Sequence, residues 1–262
     1  MTHYVDIADT TIPDGIENII ANLPPISSLK DGEKIILRFG DQHVFRTGLV
    51  LLSTWRKTLP EGIDVRIDDS QCREGTRRLI DNSGFRDIIE QNEEQPTHIF
   101  QGSGKVPLQP VVRGYSTEHA IGRICSVIDE YAALLHDTKP FRVMLSELCE
   151  NAYAHSEFET SGYLCAHLYE RNMRCEISIA DSGIGIRNSY LEGTNEEAKR
   201  RISEGACPID LAIEGLRSSK PTPIQGTSRS HFGYGLFIVR RLIEENRGRL
   251  VKIGRASCRE RV

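Results

Sequence analysis

Glu147-Leu148-Cys149-Glu150-Asn151-Ala152-Tyr153-Ala154-His155 decides how this chain is read. Its three polar residues Glu147, Asn151 and His155 recur every four positions, and on a helix such steps keep them on one slowly drifting face. Leu148 and Ala152 lie between them and are expected to turn toward a core. One side of the segment is therefore built to pack, and the other gathers an acid, an amide and an imidazole, which is how a binding or catalytic helix is laid out. Upstream, Ile121, Ile124, Ile128, Tyr131 and Leu135 space like one face of a preceding amphipathic helix, and Pro140 suits the first turn of the Glu147 helix.

About thirty residues on, Cys175-Glu176-Ile177-Ser178-Ile179-Ala180 alternates as a half-buried strand does and runs into Asp181-Ser182-Gly183-Ile184-Gly185-Ile186. Two glycines after a strand let backbone approach a ligand closely, with the carboxylate of Asp181 free to meet a donor. A third segment, Gly233-Tyr234-Gly235-Leu236, opens a helical pattern carried by Leu236, Val239, Leu242 and Ile243. Glycines at a helix start leave outward-pointing amides of the kind that bind phosphate.

In this order and spacing the three segments resemble the signature boxes of the GHKL ATPase superfamily, which includes DNA gyrase, the heat-shock chaperone ATPase, MutL-type repair proteins and histidine kinases. The first is similar to the pattern E-L-x-x-N-A-x-x-H and the second to D-x-G-x-G-I, and the resemblance covers roughly residues 112 to 253. It implies a mixed α/β fold, the Bergerat-type α/β sandwich of helices on a mixed sheet, with ATP and Mg²⁺ as cofactors. It also implies Glu147 as general base, Asn151 as Mg²⁺ ligand and Asp181 as the reader of adenine. Gly183, Gly185, Ile186, Gly233, Tyr234, Gly235 and Leu236 would line the nucleotide site, with His155 at its edge.

The same roles follow from the chemistry of the side chains. A neutral amide oxygen such as that of Asn151 suits Mg²⁺, which keeps several waters and takes further ligands from phosphate. Glu147, one turn earlier, can accept the proton of a water or hydroxyl that attacks the terminal phosphate. Asp181 can accept the amino hydrogen of adenine, which favours adenine over guanine.

Arg187 to Phe232 is rich in charge, Ser, Thr, Pro and Gly, and reads as a long loop interrupted by one short helix from Pro208, ended by Gly215. In the resembled family this region is the ATP lid. At the other end of the chain, Lys34–Phe39 reads as a strand, Gly48 to Lys57 as a helix, Ile63 to Ile67 as a strand and Arg73 to Asn82 as a helix. That alternation predicts a small α/β domain with a partly parallel sheet. Leu79-Ile80-Asp81-Asn82-Ser83-Gly84-Phe85 resembles a late helix and Gly-aromatic turn of STAS domains, the anti-sigma-factor antagonists. Their phosphorylatable Asp-Ser-Ser-Gly turn has Phe45-Arg46-Thr47-Gly48 as its nearest counterpart, with Arg in place of the usual acceptor.

The expected organisation is a small STAS-like α/β domain over residues 1–95, a linker over 96–110 around Pro96, and the ATP-binding domain over 111–253, where Val111-Val112 adds a strand. Residues 254–262 lose all apolar periodicity and read as the translation of a sequencing adapter, so the strand Arg249 to Lys252 is the last expected element.

Composition sets the remaining limits. The chain has 262 residues and a net charge of −4, with no apolar run near the roughly 20 residues of a membrane helix. Its start, Met1-Thr2-His3-Tyr4-Val5-Asp6, lacks the basic segment of a signal peptide, so a cytoplasmic address without a membrane partner is expected. Seven cysteines without C-x-x-C spacing argue against a disulfide framework and a zinc site. The acidic balance gives no reason to expect a nucleic-acid partner.

Two classes of function then compete. One is an enzyme, an ATPase or a serine/threonine kinase of the anti-sigma-factor type. The other is a nucleotide-gated or nucleotide-free interaction switch. Either would engage a protein partner, a role that a second copy of the chain could fill as a homodimer. A histidine autokinase is disfavoured because His98, His119 and His136 lack a paired-helix setting, and gyrase- or chaperone-like roles because those proteins need long downstream regions.

Overall fold

In a computed structural model the first residues already alternate, with Val5 and Ile7 buried and Tyr4 and Asp6 turned outward. The structure describes residues 1–10, 13–93, 105–113, 115–130, 139–154, 156, 159–169, 171, 174–214, 235–253 and 259–261. It divides into two compact units, Met1–His136 with Ser156–Ser182, and Asp137–His155 with Gly183–Val262.

The first unit holds two sheets. Strands β1 (Thr2–Ile7), β2 (Lys34–Phe39) and β3 (Asp64–Asp68) are parallel and lie in that order, with Thr2 opposite Lys34 and Lys34 opposite Asp64. Helices α1 (Pro13–Asn22) and α2 (Arg46–Lys57) make the crossovers, and α3 (Glu74–Asn82) and α4 (Phe85–Gln91) follow β3. Gly84 links α3 to α4 at φ 80°, a left-handed conformation that glycine takes without a Cβ penalty. The inner face of this sheet, Ile35, Leu37, Phe39 and Val65, packs with Leu49, Leu52, Ile80, Phe85 and Ile88 in one core. Within it Phe39 meets Phe85 edge-on at 5.9 Å, a favoured arrangement for two aromatic quadrupoles. The expected strands and helices of this region are therefore present, and the sheet is wholly parallel.

The second sheet is antiparallel, β4 (Lys105–Val111), β5 (Gly162–Tyr169) and β6 (Arg174–Asp181) in that order. Leu108, Tyr163 and Cys165 from it enter the same core as the parallel sheet, and helix α5 (Tyr115–Glu130) packs on β4 and β5. Residues 105–110, expected as part of a linker, thus form most of a strand. Val111 ends that strand and Val112 lies beyond it. Pro107 and Pro110 are compatible with β4 because it lies at the sheet's edge among the described strands, where a missing N–H costs no ladder bond.

The second unit is mainly helical. It contains α6 (Lys139–Ala154), α7 (Gly185–Glu192), α8 (Glu196–Ser203), α9 (Pro208–Ile213) and α10 (Gly235–Glu245), then the paired strands β7 (Val251–Ile253) and β8 (Arg259–Arg261). Helix α6 packs on α10, α10 on α9, α9 on α7 and α7 on α8. Tyr190, Ala198, Ile202 and Leu211 form a small shared core.

Most of 187–214, expected as loop apart from one helix, is helical. Asn195 caps α8 by accepting the Ala198 N–H at 3.0 Å, Glu196 and Glu197 occupy its first turn, and Arg200 and Arg201 its last. Cap and charges together suit the helix dipole. Glu197, Arg200 and Glu204 add a ladder of surface ion pairs along it. Helix α9 starts at the expected Pro208, whereas Gly215 lies outside the described residues, as do Tyr131 and Leu135.

Candidate functional site

Helix α6 carries the first group of candidate residues. Met144, Leu145, Cys149 and Ala152 are buried, while Glu147, Glu150 and Asn151 are half-buried. Cys149, rather than the expected Leu148, occupies the core beside Ala152, and Leu148 is half-buried. Four residues advance a helix by about 40° beyond a full turn, so Glu147 and Asn151 share one flank of α6, adjacent to its packed side.

That flank belongs to a helix in contact with α10, whose first residues Gly235 and Leu236 come from the third segment. The structure therefore packs the helix that carries the first segment against the helix that Gly235 and Leu236 open, within one unit. Of the expected apolar face of α10, Val239 is buried and Leu236, Leu242 and Ile243 are half-buried, as are Phe237 and Ile238 outside it. Gly233, Tyr234 and His155 lie outside the described residues.

The second segment is divided. Asp181 is the last residue of β6 in the first unit and is exposed, and Gly185 and Ile186 open α7 in the second unit. Gly185 has φ 78° with open space around its missing side chain, so the backbone conformation, not crowding, calls for glycine there. Gly183 and Ile186 are half-buried.

The end of β6 is held on both sides of Asp181. The Ser182 N–H and hydroxyl both donate to Ser161 O, at 2.8 and 3.0 Å, and the Ser156 hydroxyl lies 3.3 Å from that of Ser182. Just before Asp181, Thr54 of α2 donates to Ala180 O at 3.4 Å and accepts the Tyr163 N–H at 3.2 Å. Directly opposite Asp181 in the register sits Gly162. These neighbours escaped the sequence reading because nothing in the sequence marks which residues oppose Asp181.

A further polar cluster lies where the first turn of α2 meets β5 and β6. Arg46 Nη1 donates to His167 Nδ1 at 2.8 Å, Thr47 donates to Glu176 at 3.3 Å and lies 2.8 Å from the Ser178 hydroxyl, and Tyr169 donates to Glu176 at 3.1 Å. Burial, reinforced by Arg46 and Lys105, pulls the His167 imidazole down to about 4. Burial and the Glu176 carboxylate push Tyr169 up to about 12. With these groups bonded to one another, the cluster docks α2 on the sheet. Burial likewise raises the Cys165 thiol to about 12 and Cys175 to about 11, so neither is a ready nucleophile.

Mg²⁺ fits the donors of α6. A half-buried amide one turn from a half-buried carboxylate offers hard oxygen atoms while leaving room for the waters this ion keeps. Among the described residues there is no cluster of three or more His, Cys, Asp or Glu side chains that could hold a metal ion. None of the six described cysteines forms a disulfide among the described residues, and no described helix is long and apolar enough to cross a membrane.

Comparison with known proteins covers these segments. Residues 136–259 match the family model for histidine kinase-, DNA gyrase B-, and HSP90-like ATPases. No curated protein and no solved structure matched the chain. The family match spans just under half of the chain and includes α6, α7 and α10, so it supports a GHKL-type ATPase domain over those residues and, in general terms, an ATP-binding function of the ATPase or kinase type.

Proposed function

We propose that this chain is an Mg-ATP-binding regulatory protein that transfers the terminal phosphoryl group of ATP, either to water or to a serine or threonine of a protein partner. The observation that carries this reading is the family match over α6 to α10, with the half-buried Glu147 and Asn151 on the helix that packs against the Gly235 helix. In this reading Asp181 accepts the adenine amino hydrogen, and the α10 N-terminus turns its free amides to phosphate. Asn151 ligates Mg²⁺ through its amide oxygen, and bound Mg²⁺ would neutralise phosphate charge. Glu147 takes the proton from the attacking water or hydroxyl at its carboxylate oxygen. Gly183, Gly185 and Ile186 let backbone approach the nucleotide, and His155, Gly233 and Tyr234 complete its surround. The finer assignments, an anti-sigma-factor-type kinase and a STAS-like N-terminal segment, rest on the resemblance of Leu79 to Phe85 to the STAS domains of anti-sigma-factor antagonists.

Turnover of Glu147→Ala tests the proposal. The expected outcome is loss of phosphate release and of phosphoryl transfer, with ATP affinity within about threefold of wild type, because the base acts on the attacking group and not on bound nucleotide. Unchanged turnover would remove Glu147 from the chemistry. ATP binding without turnover in the wild-type protein would make the chain a nucleotide-gated interaction switch instead.

A further inference from the structure

Several glycines of this chain have room to spare, Gly40 and Gly75 among them, where a Cβ would meet nothing within 4 Å. Gly162 is different. A Cβ built on it would lie 1.9 Å from Ala180 O and 2.9 Å from the Cα of Asp181, both backbone atoms of the neighbouring strand. A side chain in the way can swing aside, but a strand backbone moves only with its ladder. Regaining even a 3.0 Å contact would part β5 from β6 by about 1 Å at the point where Asp181 leaves the sheet.

We propose that Gly162 is a positioning residue for base recognition, setting the place of the Asp181 carboxylate by allowing β5 and β6 to close fully; this rests on the reading of Asp181 as the adenine contact. The surrounding bonds point the same way. Ala180, before Asp181, is held by the Thr54 hydroxyl, and Ser182, after it, is held twice by Ser161 O. Asp181 itself is exposed, at the end of a strand whose backbone these anchors hold on both sides. A hydrogen bond tolerates little displacement: an N–H to O distance near 2.9 Å that lengthens by about 1 Å is no longer a bond.

The ratio of affinities for ATP and for purine riboside triphosphate, which lacks only the 6-amino group, reads that bond directly. Both are titrated by calorimetry with Mg²⁺ into the full chain, into Gly162→Ala and into Ser182→Ala. Wild type is expected to prefer ATP by about 10- to 100-fold, the range for one hydrogen bond to a charged group. In Gly162→Ala the preference should fall to about threefold or less, with the affinity for the amino-free nucleotide nearly unchanged. Ser182→Ala, which removes one of two bonds to Ser161 O and adds no clash, should lower the preference by a smaller factor, about two- to threefold.

A wild-type preference in both variants overturns the proposal, and so does an equal loss for both nucleotides, which would mark Gly162 as structural only. If Gly162→Ala does not fold, as judged by circular dichroism, an unchanged preference in Ser182→Ala overturns it. Wild-type protein that binds both nucleotides equally would instead overturn the role of Asp181, and with it the ground on which Gly162 acts.

Discussion

Replacing Thr54 by valine removes a hydroxyl that bonds to β5 and β6 at once while leaving a side chain of nearly the same shape. Thr54 is 3% exposed, and the residues it meets belong to the core that includes Tyr163 and to the strand end that carries Asp181. A hydrogen bond contributes about 1 kcal/mol net, and the 3.4 Å bond to Ala180 O is the weaker of the two, so the expected destabilisation is about 1.5 kcal/mol. Spread over a unit of this size it lowers Tm by about 3–6 °C. Thr54→Ser is the control, since it keeps the hydroxyl and loses a buried methyl worth about 0.8 kcal/mol. Calorimetric or denaturant unfolding of the three proteins should therefore rank wild type above serine and serine above valine. The reverse order, with valine at or above wild type and serine lowest, would mean that packing alone matters at this position and that the hydroxyl does not tie α2 to the sheet.

Acid should weaken the first unit through His167. Its imidazole stays neutral in the fold down to about 4, whereas in the unfolded chain it takes up a proton near 6.5, so the unfolded state binds more protons between those values and stability falls as pH falls through that window. Discounted for partial exposure, the loss is on the order of 1 kcal/mol by pH 5, and His167→Gln should show a flatter stability profile between pH 7 and 5. Equal slopes would place the acid sensitivity elsewhere. Gly185→Ala should cost about 1–2 kcal/mol from backbone conformation alone, because the position is left-handed and otherwise open. A variant as stable as wild type in chemical denaturation would mean that the start of α7 relaxes freely.

How much of this was legible depended on which faces each element buries. Strand β2 was plain because Ile35, Leu37 and Phe39 alternate with half-buried or exposed neighbours, and α6 because its buried and half-buried residues follow a helical period. Strand β5 was not, for Gly162 through Ala166 are buried on both faces, so no two-residue period marks them. Strand β4 hid behind Pro107 and Pro110, residues that announce a turn in sequence yet fit a sheet edge. Helix α8 hid behind its charges, with only Ala198 and Ile202 turned inward. Edge strand β1 offered Thr2, His3, Tyr4 and Asp6, too polar to stand out until Val5 and Ile7 found a core.

The candidate site divides along the same line. Glu147, Asn151, Asp181 and Gly185 were readable because their chemistry and spacing are local. Gly162, Ser161 and Thr54 matter through what lies across from them, and such pairing is set by register, not by sequence neighbours.

Titration of the purified chain by calorimetry with ATP and then GTP, with and without Mg²⁺, and with Asp181→Ala as control, tests the nucleotide reading most directly. Mg²⁺-dependent binding of ATP in preference to GTP, abolished in Asp181→Ala, is the expected result. A folded protein that takes up neither nucleotide would contradict the account and leave the chain an interaction module.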